Sequence, residues 1–192
     1  SWRWFMDEQH QAGYHRIDSD ANDLIRGCNP MTFKLGKNCR NTEEIVKFTQ
    51  MLTAADIGRT QVSGRGLNPR TEFFDDGDST TAIRGVLRNW LDDPQVTKSN
   101  IAVLTDDESS VENLDSVLPP GIKVSSIKDF KGLEQDFVIV RIEGHHDAIE
   151  GEVLRDLYTG ITRARSGLVL LLPGTMREMV KNAALRNHEA MQ

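Results

Sequence analysis

Cysteine is scarce: Cys28 and Cys39 are the only two in 192 residues, and they form no C-x-x-C pair. That argues against a disulfide framework and against a zinc site, and makes reduced thiols in the cytoplasm the default expectation. No apolar run approaches the roughly 20 residues that span a bilayer. The opening Ser1-Trp2-Arg3-Trp4-Phe5 lacks a signal-peptide layout, and its abrupt start suggests a cut boundary. Basic excess is missing as well, the formal net charge being −6. A free-standing DNA-binding domain is usually basic, because phosphate contacts supply most of its affinity. Tight, independent DNA binding is therefore not expected, although a small basic patch is compatible with this charge. A phosphate-cradling loop G-x-x-x-x-G-K-[ST] is also absent. Gly36-Lys37-Asn38 falls short of one, with Met31 at the first glycine position and Asn38 at the hydroxyl position. Nothing then cradles a β-phosphate or offers a hydroxyl to Mg²⁺, so the chain alone is not expected to turn over ATP.

What is present reads as one soluble domain with a full core. Apolar residues make up 38% and charged residues 27%. Short apolar runs alternate with helical stripes. Strands are predicted at Trp2–Met6, Thr32–Leu35, Thr71–Phe74, Ile101–Leu104, Ile122–Ile127, Phe137–Val140 and Leu168–Leu172. A helix over Thr42–Ala55 follows the second, with Thr42 as its N-cap and Gly58 as its stop. A second starts at a Ser79 or Thr80 cap, with Ile83, Val86, Leu87, Trp90 and Leu91 on its apolar face. Val111, Leu114 and Val117 mark a third helix, ended by Pro119-Pro120. Val153, Leu154, Leu157, Tyr158 and Ile161 mark a fourth, and Met176, Met179, Val180 and Ala183 a fifth. Trp90 reads as core and Tyr158 as core or cleft edge. Strands that are apolar throughout and alternate with helices predict an α/β fold, a mostly parallel sheet covered on both faces. Ligands of such sheets sit beyond the carboxyl ends of the strands, where the polar residues after each strand become candidates.

Three polar segments lie at the edges of these elements. They are Leu35-Gly36-Lys37-Asn38-Cys39-Arg40-Asn41-Thr42, then Ser126-Ile127-Lys128-Asp129-Phe130-Lys131-Gly132-Leu133-Glu134, then Leu157-Tyr158-Thr159-Gly160-Ile161-Thr162-Arg163-Ala164-Arg165. The first resembles motif IV of the UvrD/Rep-type superfamily 1 DNA helicases, L-x-x-N-x-R-N-T. The second resembles motif V, T-x-H-x-x-K-G-L-E, and the third motif VI, Y-x-x-x-T-R-A-[RK]. Asp7 to Tyr14 is similar to motif III, in which a glutamine follows an aspartate. K-G-L-E or T-R-A-R alone would be a weak signal, but the ordered set spans nearly the whole chain.

The resemblance implies a RecA-like three-layer domain, the C-terminal half of a helicase motor. Residues 1–30 would be the end of the other motor half or a linker, and residues 31–192 the C-terminal domain. That other half would hold ATP and most of the contacts to Mg²⁺. Arg163 and Arg40 match the family's two arginine fingers. A planar guanidinium stays charged and binds phosphate oxygens in pairs, which suits the charge that builds on a hydrolysing γ-phosphate. Glu134 matches the glutamate that accepts ribose hydroxyls, with Gly132 letting the backbone approach closely. Gln11 matches the γ-phosphate sensor, although it stands four residues after Asp7, with His10 at the usual place. Asp7-Glu8 also reads as a Walker B pair, but the distance to Arg40 favours motif III. Ser126 and Lys128 match DNA-contacting threonine and histidine. Lys128 is a departure, since a fixed cation holds a phosphate but does not stack on a base.

Ordinary alternatives stand beside these roles: surface salt-bridge arginines, a solvated glutamate and a solvent-facing lysine. His10, His15, His145 and His146 read as solvated, with no ligand set around them. The family's large insertion between motifs IV and V has no counterpart between Arg40 and Ser125, which puts strand separation in doubt. The implied partners are ATP, single-stranded DNA (RNA not excluded) and the other motor half. Two further readings stay open. One is a non-motor nucleotide- or nucleic-acid-binding regulatory module with a degenerate helicase fold, and the other is an ATP-dependent nuclease subunit or RNA-directed motor.

Overall fold

The computed structural model describes residues 27, 36–75, 79–144, 146 and 148–190. The strands expected at Trp2–Met6 and Thr32–Leu35 lie outside the described residues, as do Asp7, Glu8, His10, Gln11, His15, Cys28 and His145.

Among the described residues, five parallel strands form the main sheet: β3 (Arg70–Phe74), β4 (Ile101–Thr105), β5 (Lys123–Ser126), β6 (Gln135–Arg141) and β7 (Ala164–Pro173). Their spatial order is β3-β7-β6-β4-β5, and every neighbouring pair is parallel. A short parallel pair, β1 (Lys37–Asn38) and β2 (Arg59–Thr60), stands apart from it. The helices among the described residues are α1 (Glu43–Thr53), α2 (Ser79–Leu91), α3 (Val111–Val117), α4 (Gly151–Ile161) and α5 (Arg177–Ala190).

Side chains alternate across a strand, so a strand apolar throughout supplies two cores. Ala102, Leu104, Val138, Val140, Leu168 and Leu170 pack with Ile45 and Leu52 of α1, Leu157 and Ile161 of α4, and Ala183 of α5. Their strand neighbours Ile101, Val103, Ile139, Val169 and Leu171 pack instead with Ile83, Val86, Leu87 and Trp90 of α2 and Leu114 of α3. The result is the three-layer α/β architecture expected from the sequence. Each fully buried Ile, Leu or Val contributes about 1.5–3 kcal/mol, so the two faces together dominate stability. Trp90 is core, its ring centroid 5.3 Å from that of Phe137. Tyr158 is buried too. Among the described residues, no helix is long and apolar enough to cross a membrane.

Several element ends differ from the sequence reading. Helix α1 stops at Thr53, because Ala54 turns left-handed (φ 57°) and its N–H bonds back to Gln50 O. Gly58, the expected stop, lies beyond it in the approach to β2. Thr42 occupies the N-cap position, yet its hydroxyl makes no capping bond. Its backbone N–H instead donates to Arg165 O at 3.3 Å. Ser79 is the first residue of α2, and its hydroxyl accepts from Arg141 Nε at 3.0 Å. Strand β5 is shorter than Ile122–Ile127, because the chain turns after Ser126, whose carbonyl accepts from Phe130 N–H; Ile122 and Ile127 are still buried, in opposite cores. Strand β7 is longer than Leu168–Leu172 and begins directly after the Thr162-Arg163 link from α4.

Connection 127–134 decides where the polar segments go. It leaves the carboxyl end of β5 and reaches the amino end of β6 without a helix. Buried Ile127 and Phe130 hold it against the α1/α4/α5 face. Phe130 N–H donates to Ser126 O at 3.1 Å, and Leu133 N–H to Phe130 O at 3.1 Å. Gly132 closes the turn at φ 88° with open space where a Cβ would stand. Glycine is therefore demanded by the left-handed backbone, and not, within this chain, by crowding.

Candidate functional site

Two edges of the sheet carry the polar residues singled out from the sequence. Beyond the strand starts, the amino edge gathers Arg40, Glu134, Arg163 and Arg165. At the strand ends, the carboxyl edge carries Ser126 and Lys128. The general expectation of function beyond the carboxyl ends therefore describes only the second group. The arginines follow β1 and α4, and α4 runs back to the amino edge before β7 begins.

On the amino edge, Arg40 Nε lies 2.8 Å from Glu134 Oε2, and Arg40 NH1 reaches Thr162 O at 3.5 Å. Arg165 NH1 lies 3.7 Å from Glu134 Oε1, and its Nε is 3.7 Å from Asp136 Oδ1. Asp136 is in turn held by Asn100 Nδ2 at 3.0 Å. The side chains of Arg40 and Arg165 are 36% and 53% exposed. Ion pairs this open to water contribute only about 0.2–1 kcal/mol each. They are arrangements that a ligand can replace.

Arg163 stands differently, at 2% exposure. Its Nε donates to Thr159 O at 3.1 Å, NH1 to Leu133 O at 3.3 Å and NH2 to Thr162 Oγ1 at 3.1 Å. Its own carbonyl accepts from Gln135 N–H at 3.0 Å. Arg163 thus braces the end of α4 against the turn that presents Glu134.

Asn41, the neighbour of Arg40, has a structural role that the motif pattern does not reveal. It is buried, and its Nδ2 donates to Thr162 O at 3.2 Å and Ala164 O at 2.6 Å. Its Oδ1 accepts from Asn38 Nδ2 at 2.9 Å. Asn38 Oδ1 accepts from the backbone N–H groups of Arg40 (3.0 Å) and Asn41 (2.9 Å). Two asparagines therefore fix the Arg40 loop to the α4–β7 junction. The sequence signal for Asn41 and Arg165 is their place inside the polar segments that carry Arg40 and Arg163.

On the carboxyl edge, Ser126 is buried and its hydroxyl is engaged locally. It donates to Asp129 Oδ2 at 2.8 Å and accepts from Asp129 N–H at 3.1 Å. Lys128 stands on the surface, 3.8 Å from Glu108 Oε1 and 3.6 Å from Glu152 Oε1. Nearby, Asp106 Oδ1 accepts from Glu143 N–H at 2.9 Å, and Asp106 Oδ2 lies 4.0 Å from His146 Nε2. Burial, then the charge of Asp156, push the Asp106 carboxyl up to about 7. Hydroxyls of Ser110 and Ser109 hold Asp107 below the usual carboxylate range. Arg141 is paired with Glu143 and donates to Ser79. Its burial lowers its pKa from the usual arginine value. Among the described residues, no group of three or more His, Cys, Asp or Glu side chains is placed to hold a metal ion.

Comparison with known proteins falls on the same segments. Residues 121–171 match the UvrD-like helicase C-terminal domain. The matched stretch runs from β5 into β7 and contains both Ser126–Glu134 and Tyr158–Arg165. It supports a helicase-related domain. No curated protein matches the chain. Among solved structures, the C-terminal domain of a possible DNA helicase from Lactobacillus plantarum is similar in fold. It has 21% identity and a TM-score of 0.53, over 77% of this chain and 96% of that one. Arterivirus nonstructural protein 10, a helicase, aligns at 9% identity and a TM-score of 0.46, over 86% of this chain and 31% of that one. The Arg40 loop lies outside the UvrD-like match, and it joins the matched stretch through Asn41 and Glu134.

Proposed function

We propose that this chain is the C-terminal half of an ATP-dependent helicase or translocase motor of the cytoplasm. Its amino edge closes on a nucleotide held by a Walker A-bearing half, which also supplies most of the Mg²⁺ contacts. One observation carries the reading. Three segments far apart in sequence meet at one edge, where Arg40, Glu134, Arg163 and Arg165 surround the α4–β7 junction. That cation-rich edge fits a phosphoryl group, whose charge grows as hydrolysis proceeds.

Within this reading Arg40 meets the phosphate directly. Arg163 adds its positive charge from the buried position behind it. Glu134 accepts ribose hydroxyls, at the end of the turn that Gly132 permits. Gln11, outside the described residues, senses the γ-phosphate. Single-stranded DNA runs past the carboxyl edge, where Lys128 offers a cation to a backbone phosphate and Ser126 shapes the turn beside it. Connection 127–134 joins the two edges directly, a short path from nucleotide to DNA. The glutamates flanking Lys128 make DNA binding by this chain alone weak.

The test is DNA-stimulated ATP hydrolysis with the Walker A-bearing half present. Arg40→Ala and Arg163→Ala should bind nucleotide but lose turnover by about 10³-fold or more. Hydrolysis at the wild-type rate in both variants would sink the proposal. A non-motor binding module is the second reading, favoured by the buried, backbone-bound guanidinium of Arg163. It predicts that no Walker A-bearing half exists and that nucleotide binds without turnover.

A further inference from the structure

Glu134 is held in an unusual way for an exposed carboxylate. Each of its oxygens faces a different arginine, Oε2 toward Arg40 and Oε1 toward Arg165. The two cations come from separate elements, the loop after β1 and the first residues of β7. They are kept in place by bonds that do not involve Glu134. Asn38 and Asn41 fix the backbone of Arg40, while Thr42 N–H and Asp136 hold the backbone and side chain of Arg165. Two guanidiniums directed at two oxygens of one anion match the needs of a phosphoryl group, which accepts paired N–H donors through several oxygens.

We propose that Arg40 and Arg165 form a two-arginine clamp for a phosphoryl or pyrophosphoryl group, and that Glu134 is its internal stand-in. An entering phosphate takes both arginines and displaces the carboxylate. Glu134 is then released to accept from the hydroxyls of the same ligand. Nucleotide recognition becomes an exchange of partners around one acid. Arg165 enters as a binding residue beside Arg40, and Arg163 is the positioning residue that sets the turn. The clamp rests on the nucleotide reading only for the source of the phosphate, since any small phosphoryl anion tests it.

The experiment is titration of the 192-residue chain with inorganic pyrophosphate at low ionic strength, followed by calorimetry. Wild type should bind weakly. Glu134→Gln keeps the shape but removes the competing charge, and should tighten binding about threefold to fivefold. Arg165→Ala should weaken it about tenfold, as should Arg40→Ala. Arg165 is exposed, so its variant should melt at the wild-type temperature, which separates lost binding from lost fold. No pyrophosphate binding by wild type, equal affinity in Arg165→Ala, or weaker binding in Glu134→Gln would each overturn the clamp. Failure of the motor reading looks different: the clamp titration succeeds, yet Arg40→Ala leaves ATP hydrolysis with the Walker A-bearing half unchanged.

Discussion

Replacing Asp106 by asparagine should stabilise the protein, and increasingly so as the pH rises. Asp106 follows β4, and its side chain is 15% exposed. Burial and the charge of Asp156 raise its carboxyl from 3.8 to about 7. Between those values the folded protein binds a proton that the unfolded chain has released. Stability conferred by that proton is fully present below about pH 4 and is lost as the pH climbs toward 7. A shift of about three units sets a ceiling near 4 kcal/mol, at about 1.4 kcal/mol per unit. Partial exposure and the shared charge with Asp156 reduce the expected effect to about 2 kcal/mol. Asparagine keeps the acceptor for Glu143 N–H and carries no charge. The assay is urea unfolding of both proteins from pH 4.5 to 8. Using the difference between them cancels groups that titrate in both, such as Asp107. The variant should gain about 2 kcal/mol on wild type across that range. A pH-independent difference, or one that shrinks as the pH rises, would refute this account of Asp106.

Gly160 in α4 faces Val140 so closely that an added Cβ would lie 2.8 Å from Cγ1 and 2.9 Å from Cγ2. Gly160→Ala should therefore destabilise by about 1–3 kcal/mol despite alanine's better helix propensity, and a denaturant midpoint at or above wild type would contradict this. Asn41→Ala leaves the Thr162 and Ala164 carbonyls without their side-chain donor. It should cost about 1–3 kcal/mol and weaken pyrophosphate binding, because the Arg40 loop loses its anchor. Pyrophosphate affinity that survives this destabilisation unchanged would show that Asn41 does not position Arg40.

The helices and the sheet were largely readable, and the reason is local. Apolar runs at Ile101–Leu104 and Phe137–Val140 need two covered faces, and the stripes over Ile83–Leu91 and Val153–Ile161 provide covering helices. Element ends were less legible. Ala54 accepts a left-handed backbone without being glycine, and Thr42 takes the cap position without a capping bond. Those outcomes depend on what packs around them. Motif resemblance identifies the residues of the amino edge but not their burial or their partners. Nothing in the spacing of Thr162-Arg163-Ala164-Arg165 says that one arginine is buried and the other open. That follows from where each one lands: Arg163 lies in the link before β7, its guanidinium turned in to Thr159 O and Leu133 O, whereas Arg165 is the second residue of β7 and faces Glu134 and Asp136 at the surface.

Periodicity and hydrophobic content, properties carried by neighbours in the chain, were sufficient for a parallel α/β domain and for the order of its polar segments. Strand order and the path of connection 127–134 were not. They arise from closing two cores at once, and they put Glu134 at the opposite edge from Ser126, only eight positions earlier in the sequence. The meeting of Arg40 with Glu134 and Arg165 has the same origin. Charges so distant in sequence become neighbours only when burial of the apolar strands has paid the entropy of bringing them together.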